Sequence, residues 1–250
     1  MTRRLLSFFL FTLLLAGTGA TAAEAARETV LITGANRGIG LELARQFTAR
    51  GYEVIGTARK PEAARELREL KVRVEPLDVA DSASVKALAK ALAGVPIDVL
   101  INNAGMSGHN AATFEETDFD QLAMTFEVNS FGPMRVTQAL LPNLALGEGK
   151  TVAQMSSVMG SIAGNQGGYY GYRASKTALN QLNMSLSKEL GGRGYTCVVL
   201  HPGWVQTRMG GESAPVATED SVAGLIAVIE GLDRDDNGRF IDYQGKEIAS

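Results

Sequence analysis

From Thr29 to the end of the chain, the pattern of apolar and polar residues alternates between two types. Short runs of β-branched and apolar residues alternate with longer amphipathic stretches, such as residues 82–92, which place Val85, Leu88, Ala89 and Leu92 on one face. This alternation is typical of successive βαβ units and therefore of a parallel sheet. Strands are predicted at residues 29–33, 53–57, 72–76, 98–101, 151–155, 195–200 and near 240–242. The pattern predicts one doubly wound α/β domain over residues 28–250, with about seven strands and helices on both faces.

The N-terminal residues have a different pattern. Arg3 and Arg4 precede an uncharged apolar run at residues 5–16, and residues 20–25 are small residues of the kind that signal peptidases accept. The run is shorter than the ~20 residues of a spanning helix, so we expect no stable membrane span in the mature protein. Residues 1–25 are therefore predicted to be a signal peptide that exports the chain to the periplasm or the exterior. An uncleaved membrane anchor is the alternative.

The paired arginines also partly resemble a twin-arginine signal, which directs folded cargo across the bacterial inner membrane. That route would suit a protein that loads a cofactor before export. The strong hydrophobicity of residues 5–16 favours the route for unfolded chains instead. Both export routes stay open at this point.

Composition narrows the function classes. A chain of 250 residues with 45% apolar and 20% charged residues lies within the range of one globular domain. Its formal net charge is -3 and its charges are interspersed, so no basic stripe is available for nucleic acid and a small-molecule partner is favoured. Two separated histidines and one cysteine form no ligand cluster, so no metal site is predicted.

The first predicted strand ends in a glycine-rich loop that leads directly into a helix. Glycine allows the sharp turn and a close approach of the backbone to a ligand, and the helix N-terminus offers free amide donors to a pyrophosphate. This arrangement predicts a dinucleotide site. The candidate binding residues of the loop are Gly34, Asn36, Arg37, Gly38, Ile39 and Gly40.

The end of the second predicted strand bears on the choice between NAD and NADP. An acidic residue there would bind the ribose 2′-hydroxyl and repel a 2′-phosphate, but residues 54–59 contain no acid. Arg59 stands at this place and Arg37 lies in the glycine loop. Two guanidinium groups would clamp a 2′-phosphate through charge-assisted hydrogen bonds, so NADP is favoured over NAD.

Tyr172 and Lys176 have the i, i+4 spacing that places two side chains on one helix face. A tyrosine with an ordinary pKa near ~10 is a poor base at neutral pH, and a nearby cation favours its phenolate. The spacing therefore predicts an acid/base pair in which Lys176 lowers the pKa of Tyr172.

Three motifs occur in the order typical of one family. The T-G-x-x-x-G-x-G loop, Asn102-Asn103-Ala104-Gly105 and Tyr172-x-x-x-Lys176 resemble the motifs of the short-chain dehydrogenase/reductase family. The resemblance runs from about residue 29 to the C-terminus and implies a Rossmann domain that transfers a hydride between a nicotinamide and a carbonyl or alcohol substrate. The residues around Tyr172 and the segment 202–207 look most like the carbonyl-reductase-like and C-factor-like branch, which implies NADPH-driven carbonyl reduction.

The resemblance also implies roles for single residues. Ser157 would polarise the substrate oxygen, Asn129 would support a proton relay beside Lys176, and Lys176 would also hold the ribose. Ser157 is preferred to Ser156, and Ser161 is a minor candidate because the separation from Ser157 to Tyr172 is longer than usual. The cofactor-binding residues implied in addition to the loop and Arg59 are Asp78, Asn102, Ala104, Gly105, Tyr172, Lys176, Pro202, Gly203, Val205 and Thr207.

The remaining predictions concern the two histidines, the oligomeric state and an alternative function. His201 is interpreted as structural because Tyr172 already fills the acid/base role, and His109 as a loop residue. The resemblance further implies a homo-oligomer, either a dimer or a tetramer. A catalytically idle dinucleotide-binding regulatory or signalling protein is the alternative function. The complete set of Asn129, Ser157, Tyr172 and Lys176 argues for the enzyme.

Overall fold

A computed structural model of the protein describes residues 27–108 and 113–249. The strands are β1 (Thr29–Ile32), β2 (Glu53–Ala58), β3 (Arg73–Pro76), β4 (Val99–Asn102), β5 (Thr151–Met155), β6 (Thr196–His201) and β7 (Phe240–Asp242). The helices are α1 (Gly38–Ala49), α2 (Arg65–Glu69), α3 (Ser82–Ala91), α4 (Phe119–Phe126), α5 (Gly132–Leu146), α6 (Tyr170–Gly191) and α7 (Thr218–Glu230), and a π-helical turn (Glu127–Phe131) joins α4 to α5.

The strands form one seven-stranded sheet in the order β3-β2-β1-β4-β5-β6-β7. Every neighbouring pair is parallel. The predicted doubly wound α/β fold is therefore confirmed, and each predicted strand lies within two residues of its observed bounds. The order of connection reverses between β1 and β4, and in such sheets ligands bind at this point, beyond the carboxyl ends of the strands.

Helices cover both faces of the sheet and explain why its central strands are continuously apolar. Val30 and Ile32 pack in one core with residues of α1, α2 and α7, whereas Leu31 packs in a second core with residues of α3, α5 and α6. All residues of β1, β4 and β5 are buried. Strands that are buried on both faces lose the alternation of apolar and polar positions that one exposed face would impose.

The predicted signal segment, residues 1–25, and His109 lie outside the described residues. Export and anchoring accordingly stay predictions from the sequence. Among residues 27–108 and 113–249, no helix has both the length and the apolar character that crossing a membrane requires.

Asp98 ties three parts of the chain together at the amino edge of the sheet. It is 7% exposed. Its Oδ2 accepts a hydrogen bond from the Thr29 amide at 2.7 Å, and its Oδ1 accepts from the amides of Glu148 at 2.7 Å and Gly149 at 3.2 Å. One carboxylate thus joins β1, β4 and the connection from α5 to β5.

Replacing this carboxylate by an amide is expected to destabilise the fold. Asp98→Asn leaves one oxygen for the three amide donors, so the free energy of unfolding should fall by about 1–3 kcal/mol. Chemical denaturation measures the change. The control Glu189→Gln makes the same replacement at an exposed position of α6. Equal stability of the two variants would contradict this role of Asp98.

Candidate active site

The glycine loop forms a tight turn whose backbone approaches β4 closely. Gly34 has a φ of 65° and Gly38 a φ of 52°, which side-chain-bearing residues rarely adopt. A Cβ on Gly34 would lie 3.0 Å from the Ala104 Cα, and one on Gly40 would meet the Gly34 carbonyl. The loop therefore needs glycine at these places for steric reasons.

The N-terminus of α1 is open to a ligand. The helix begins at Gly38, and the side chain of the preceding Arg37 makes no capping hydrogen bond to a described residue. The first amides of a helix have no partner within the helix, and its dipole favours an anion there. The loop and the helix end together fit the pyrophosphate of a dinucleotide.

Asn103 braces this loop, and the sequence analysis missed it. Its Nδ2 donates to the carbonyl oxygens of Thr33 at 2.9 Å and Gly34 at 3.2 Å. The next amide, that of Ala104, donates to the Thr33 Oγ1 at 3.0 Å. The only sequence signal for this role was the position of Asn103 inside the N-N-A-G motif.

Two other residues of the N-N-A-G motif have different roles: one supports the fold and the other faces the candidate active site. Asn102 is 1% exposed, and its Nδ2 donates to the Thr137 Oγ1 in α5 at 3.0 Å, so its side chain braces β4 against α5. Gly105 faces the predicted catalytic residues, because a Cβ there would lie 3.3 Å from the Asn129 Oδ1 and 3.7 Å from the Lys176 Nζ. The structure thus brings the end of β4 and the catalytic candidates together.

Asp78 and Ile39 were also predicted to contact the cofactor. Asp78 follows β3 and is half-buried, and its Oδ1 accepts from the Ala80 amide at 3.0 Å. Ile39, in the first turn of α1, packs against the core that contains Leu41. Their predicted contacts with the cofactor stay predictions.

Asn129 lies at the centre of the π-helical turn and is fully buried. Its Oδ1 accepts from the Met106 amide at 2.9 Å, and its Nδ2 donates to the Met106 carbonyl at 2.8 Å and the Ser175 Oγ at 3.1 Å. Single π-helical turns occur frequently at functional sites. Asn129 therefore joins the segment after β4 to α6, the helix that carries Tyr172 and Lys176.

Ser157, Tyr172 and Lys176 come together from β5 and α6. Ser157 lies beside Tyr172, and its side chain acts to lower the pKa of the phenol. The Lys176 Nζ lies 5.8 Å from the centre of the Tyr172 ring and donates to the Met155 carbonyl at 2.7 Å. The carbonyl at the end of β5 thereby holds the ammonium group beside the phenol.

The two alternative serines, Ser156 and Ser161, form hydrogen bonds with other residues. The Ser156 Oγ donates to the Asn180 Oδ1 at 2.7 Å, and the Ser161 Oγ accepts from the Gly164 amide at 3.2 Å. Neither contact is with Tyr172. The geometry therefore favours Ser157, as predicted, over both alternatives.

The pKa of Tyr172 differs from the expectation. Burial raises the pKa of Tyr172, and the side chain of Ser157 acts in the opposite direction. Burial also lowers the pKa of Lys176 to about 8. In the protein alone, removal from water is the largest influence on the pKa of Tyr172, and it acts against the lowering that was predicted from Lys176. Tyr172 is therefore protonated at neutral pH.

The segment after β6 folds against the glycine loop. The Pro202 carbonyl accepts from the Ser221 Oγ of α7 at 2.6 Å, and Gly203 has a φ of 87°. Val205 forms a backbone bridge with Val216. A Cβ on Gly38 would lie 3.5 Å from the methyl group of Thr207, so this predicted nicotinamide segment adjoins the cofactor loop.

The predicted guanidinium pair has a third member. The pKa of Arg37 is lowered by partial burial, then by the positive charges of Arg208 and Arg59. Arg208 was not among the predicted site residues. Within residues 27–108 and 113–249, none of the three forms an ion pair with a carboxylate.

The structure supports the structural interpretation of His201. Burial lowers the pKa of His201 to about 4, with Asp242 acting in the opposite direction. The imidazole is thus neutral at neutral pH.

Comparison with known proteins identifies the family. A family model described as short chain dehydrogenase matches residues 28–216. The chain belongs to the short-chain dehydrogenase family. The family match confirms the resemblance found in the sequence. It also supports the prediction that the chain is an oxidoreductase with a nicotinamide dinucleotide as its cofactor.

Individual relatives agree with the carbonyl-reductase-like and C-factor-like branch. C-signal of Myxococcus xanthus is 48% identical over 165 residues, which are 66% of this chain and 99% of that protein. The carbonyl reductase Sniffer of D. melanogaster superposes with a TM-score of 0.86, at 33% identity over 90% of this chain and 100% of that one. The NADPH-bound carbonyl reductase from chicken fatty liver has a TM-score of 0.82 at 33% identity, with the same coverage. The expected homo-oligomer stays a prediction.

Burial of Lys176 is expected to make stability depend on pH. Between its pKa of about 8 in the folded protein and the 10.5 of an exposed lysine, the unfolded chain binds more protons, so the free energy of unfolding rises with pH. Lys176→Met should be more stable than the original chain by a margin that shrinks by about 3 kcal/mol from neutral pH to above pH ~10.5.

Chemical denaturation of both chains across this range measures the margin. The control Lys188→Met removes an exposed lysine from the same helix, and its margin should not change with pH. A constant margin for Lys176→Met would contradict the burial effect.

Proposed function

We propose that the protein is an NADPH-dependent carbonyl reductase in which Tyr172 donates the proton. The observation that carries the proposal is the grouping of Ser157, Tyr172 and Lys176, which Gly105 links to the glycine loop. A bound NADPH supplies a hydride to the carbonyl carbon. The carbonyl π electrons then move to oxygen, which takes the Tyr172 proton, so the carbonyl compound is reduced to an alcohol.

The chain's residues divide the remaining work. Ser157 donates a hydrogen bond to the substrate oxygen and so stabilises the negative charge that develops there. Tyr172 delivers the proton to the same oxygen. Lys176 would hold the ribose of a bound cofactor, and its ammonium group, which lies next to Tyr172, would stabilise the phenolate that remains after the proton has left. Asn129 positions α6 and the segment at Met106 around them.

The protonation state of Tyr172 favours reduction at neutral pH. Because burial raises its pKa, the phenol carries its proton and is ready to act as an acid. Alcohol oxidation would require the phenolate as a base. The protonated phenol therefore suits the proton-donating role that reduction requires of Tyr172.

Charge around the adenosine end supports NADPH as the reductant. Arg37 and Arg59 approach each other without an acidic partner among the described residues. Two like charges that close together are stabilised by an anion such as a 2′-phosphate. The likeness to a carbonyl reductase that binds NADPH supports the same choice.

The segments that flank the site carry apolar side chains at the surface. Val158 and Ile162, which follow Ser157, are 44% and 69% exposed, and Tyr170, which precedes Tyr172, is 40% exposed. Exposed apolar side chains next to the catalytic candidates favour apolar ligands. We therefore assign the protein an apolar carbonyl compound as substrate.

A catalytically idle signalling protein is the second candidate, and the similarity to C-signal favours it. Such a protein would need the dinucleotide cradle but not the proton donor. The buried hydrogen bonds that hold Asn129, Ser157 and Lys176 in place support the enzyme instead.

Removal of the Tyr172 hydroxyl distinguishes the two candidates. Tyr172→Phe should lower kcat/KM for NADPH-dependent reduction of an aromatic ketone or aldehyde by about 10²- to 10⁴-fold, because general acid catalysis is lost. NADPH binding, followed by nicotinamide fluorescence, should be retained.

Tyr52→Phe is the matched control, since it removes the same hydroxyl from a partly buried residue that precedes β2, at the end of the sheet away from the site. Its activity should stay close to that of the original chain. Undiminished activity of Tyr172→Phe would contradict the enzymatic proposal.

The arginine pair is expected to determine cofactor preference. Arg59→Gln should weaken NADPH binding by about 10-fold or more and leave NADH binding unchanged, because only NADPH carries the 2′-phosphate. Titration of the full chain at fixed salt measures both affinities.

Arg193→Gln is the control, because Arg193 is exposed and lies before β6, at the opposite edge of the sheet. Tighter binding of NADH than NADPH by the original chain would contradict the assignment.

A further inference from the structure

We propose that Arg208 is a further dinucleotide-binding residue that contacts the pyrophosphate from the segment covering the glycine loop. The inference rests on the proposed function, since it concerns the same cofactor. It assigns to the segment after β6 a charged contact that the motif-based prediction did not include.

The position of Arg208 follows from a folded turn. Thr207 Oγ1 accepts from the Gly210 amide at 3.1 Å, and the Trp204 Nε1 donates to the Gly210 carbonyl at 2.8 Å. The Gln206 amide donates to the Val216 carbonyl at 2.9 Å. These bonds hold residues 204–210 together as one unit, so the place of Arg208 is set by its neighbour Thr207.

Thr207 brings this turn onto the start of α1. Its methyl group lies 3.5 Å from the position of a Cβ on Gly38, the first residue of the helix. Arg37 and Arg208 are the chain neighbours of these two residues. Two arginines thus flank one contact at the helix N-terminus, where the unpaired amides fit a pyrophosphate.

The two arginines meet without a counter-charge. Arg208 is exposed, and no carboxylate among the described residues forms an ion pair with it or with Arg37. Their mutual repulsion is strong enough to be the second-largest cause of the lowered pKa of Arg37. An anion placed between them would convert this repulsion into two attractions.

The strand order separates Arg208 from the proposed 2′-phosphate site. Arg59 follows β2, which lies on one side of β1, whereas Arg208 follows β6, three strands away on the other side. Arg37, after β1, stands between them. Arg59 therefore approaches the adenosine ribose, and Arg208 approaches the phosphates at the end of α1.

Binding by Arg208 would couple the cofactor to the covering turn. A pyrophosphate held by both α1 and Arg208 links the glycine loop to Thr207, which the family resemblance places at the nicotinamide. Because NADPH and NADH share the pyrophosphate, Arg208 should strengthen both complexes equally. This separates its effect from that of Arg59.

Titrations of the full chain and its variants test the proposal. The probes are NADPH, NADH and ADP-ribose, which carries the pyrophosphate but neither the 2′-phosphate nor the nicotinamide. Arg208→Gln should raise the Kd of all three by a similar factor of roughly 5–10, whereas Arg59→Gln should affect NADPH alone. Arg208→Lys keeps the charge and should lose less affinity, and Arg193→Gln should lose none.

Salt dependence supplies a second readout. From about 50 to 200 mM salt, NADH binding should weaken less for Arg208→Gln than for the original chain, because one screened contact is missing. Thermal unfolding without ligand should be unchanged, since Arg208 is an exposed residue.

Two outcomes would overturn the inference alone. Unchanged affinities in Arg208→Gln would show a solvated surface charge, and a loss confined to NADPH would place Arg208 at the 2′-phosphate. If the original chain bound neither NADPH nor NADH, the proposed function would fail as well, so the two failures are distinguishable.

Discussion

The close approach of the β1 and β4 ends is the constraint on which the site depends. Gly34 packs against Ala104 at a distance that leaves no room for a side chain, and the Asn103 amide holds the turn by bonding to two of its carbonyls. This contact sets the start of α1 relative to the sheet. It also sets the place of Gly105, through which the cofactor cradle adjoins Asn129 and Lys176.

Burial controls the chemistry of the catalytic group. Lys176 is 5% exposed and held by the Met155 carbonyl, and Ser157 is 8% exposed and lies beside Tyr172. Removal from water disfavours both the ammonium and the phenolate, so the pair tends towards its neutral forms. A phenol that keeps its proton suits reduction.

Positive charge collects at the cofactor edge although the chain is slightly acidic overall, with a formal net charge of -3. Arg37, Arg59 and Arg208 come from three separate segments that meet only in the fold. Exposed charges without partners gain little from folding, and a bound anion gives them a counter-charge. The edge is therefore arranged for a phosphate-rich ligand.

Much of the architecture was predictable because it depends on local pattern. Continuous apolar runs marked the buried strands, and the glycine loop with its following helix marked the dinucleotide site. The order of motifs along the chain also pointed to Ser157 as a neighbour of Tyr172, and the two residues do lie side by side. The choice of Arg37 and Arg59 as neighbours likewise needed only the expected positions of two strand ends.

The sequence by itself determined the fold class and the family and predicted the residues of a cofactor site, since these follow from short motifs and their order. Only the tertiary structure assigned Asn103 to the loop, with its acceptors 69 and 70 residues away, and placed Arg208 beside Arg37. It also showed that Tyr172 is removed from water, which raises the pKa of its phenol. Long-range hydrogen bonds and the loss of water around a buried group depend on packing between distant segments, which the i, i+4 spacing of Tyr172 and Lys176 does not contain.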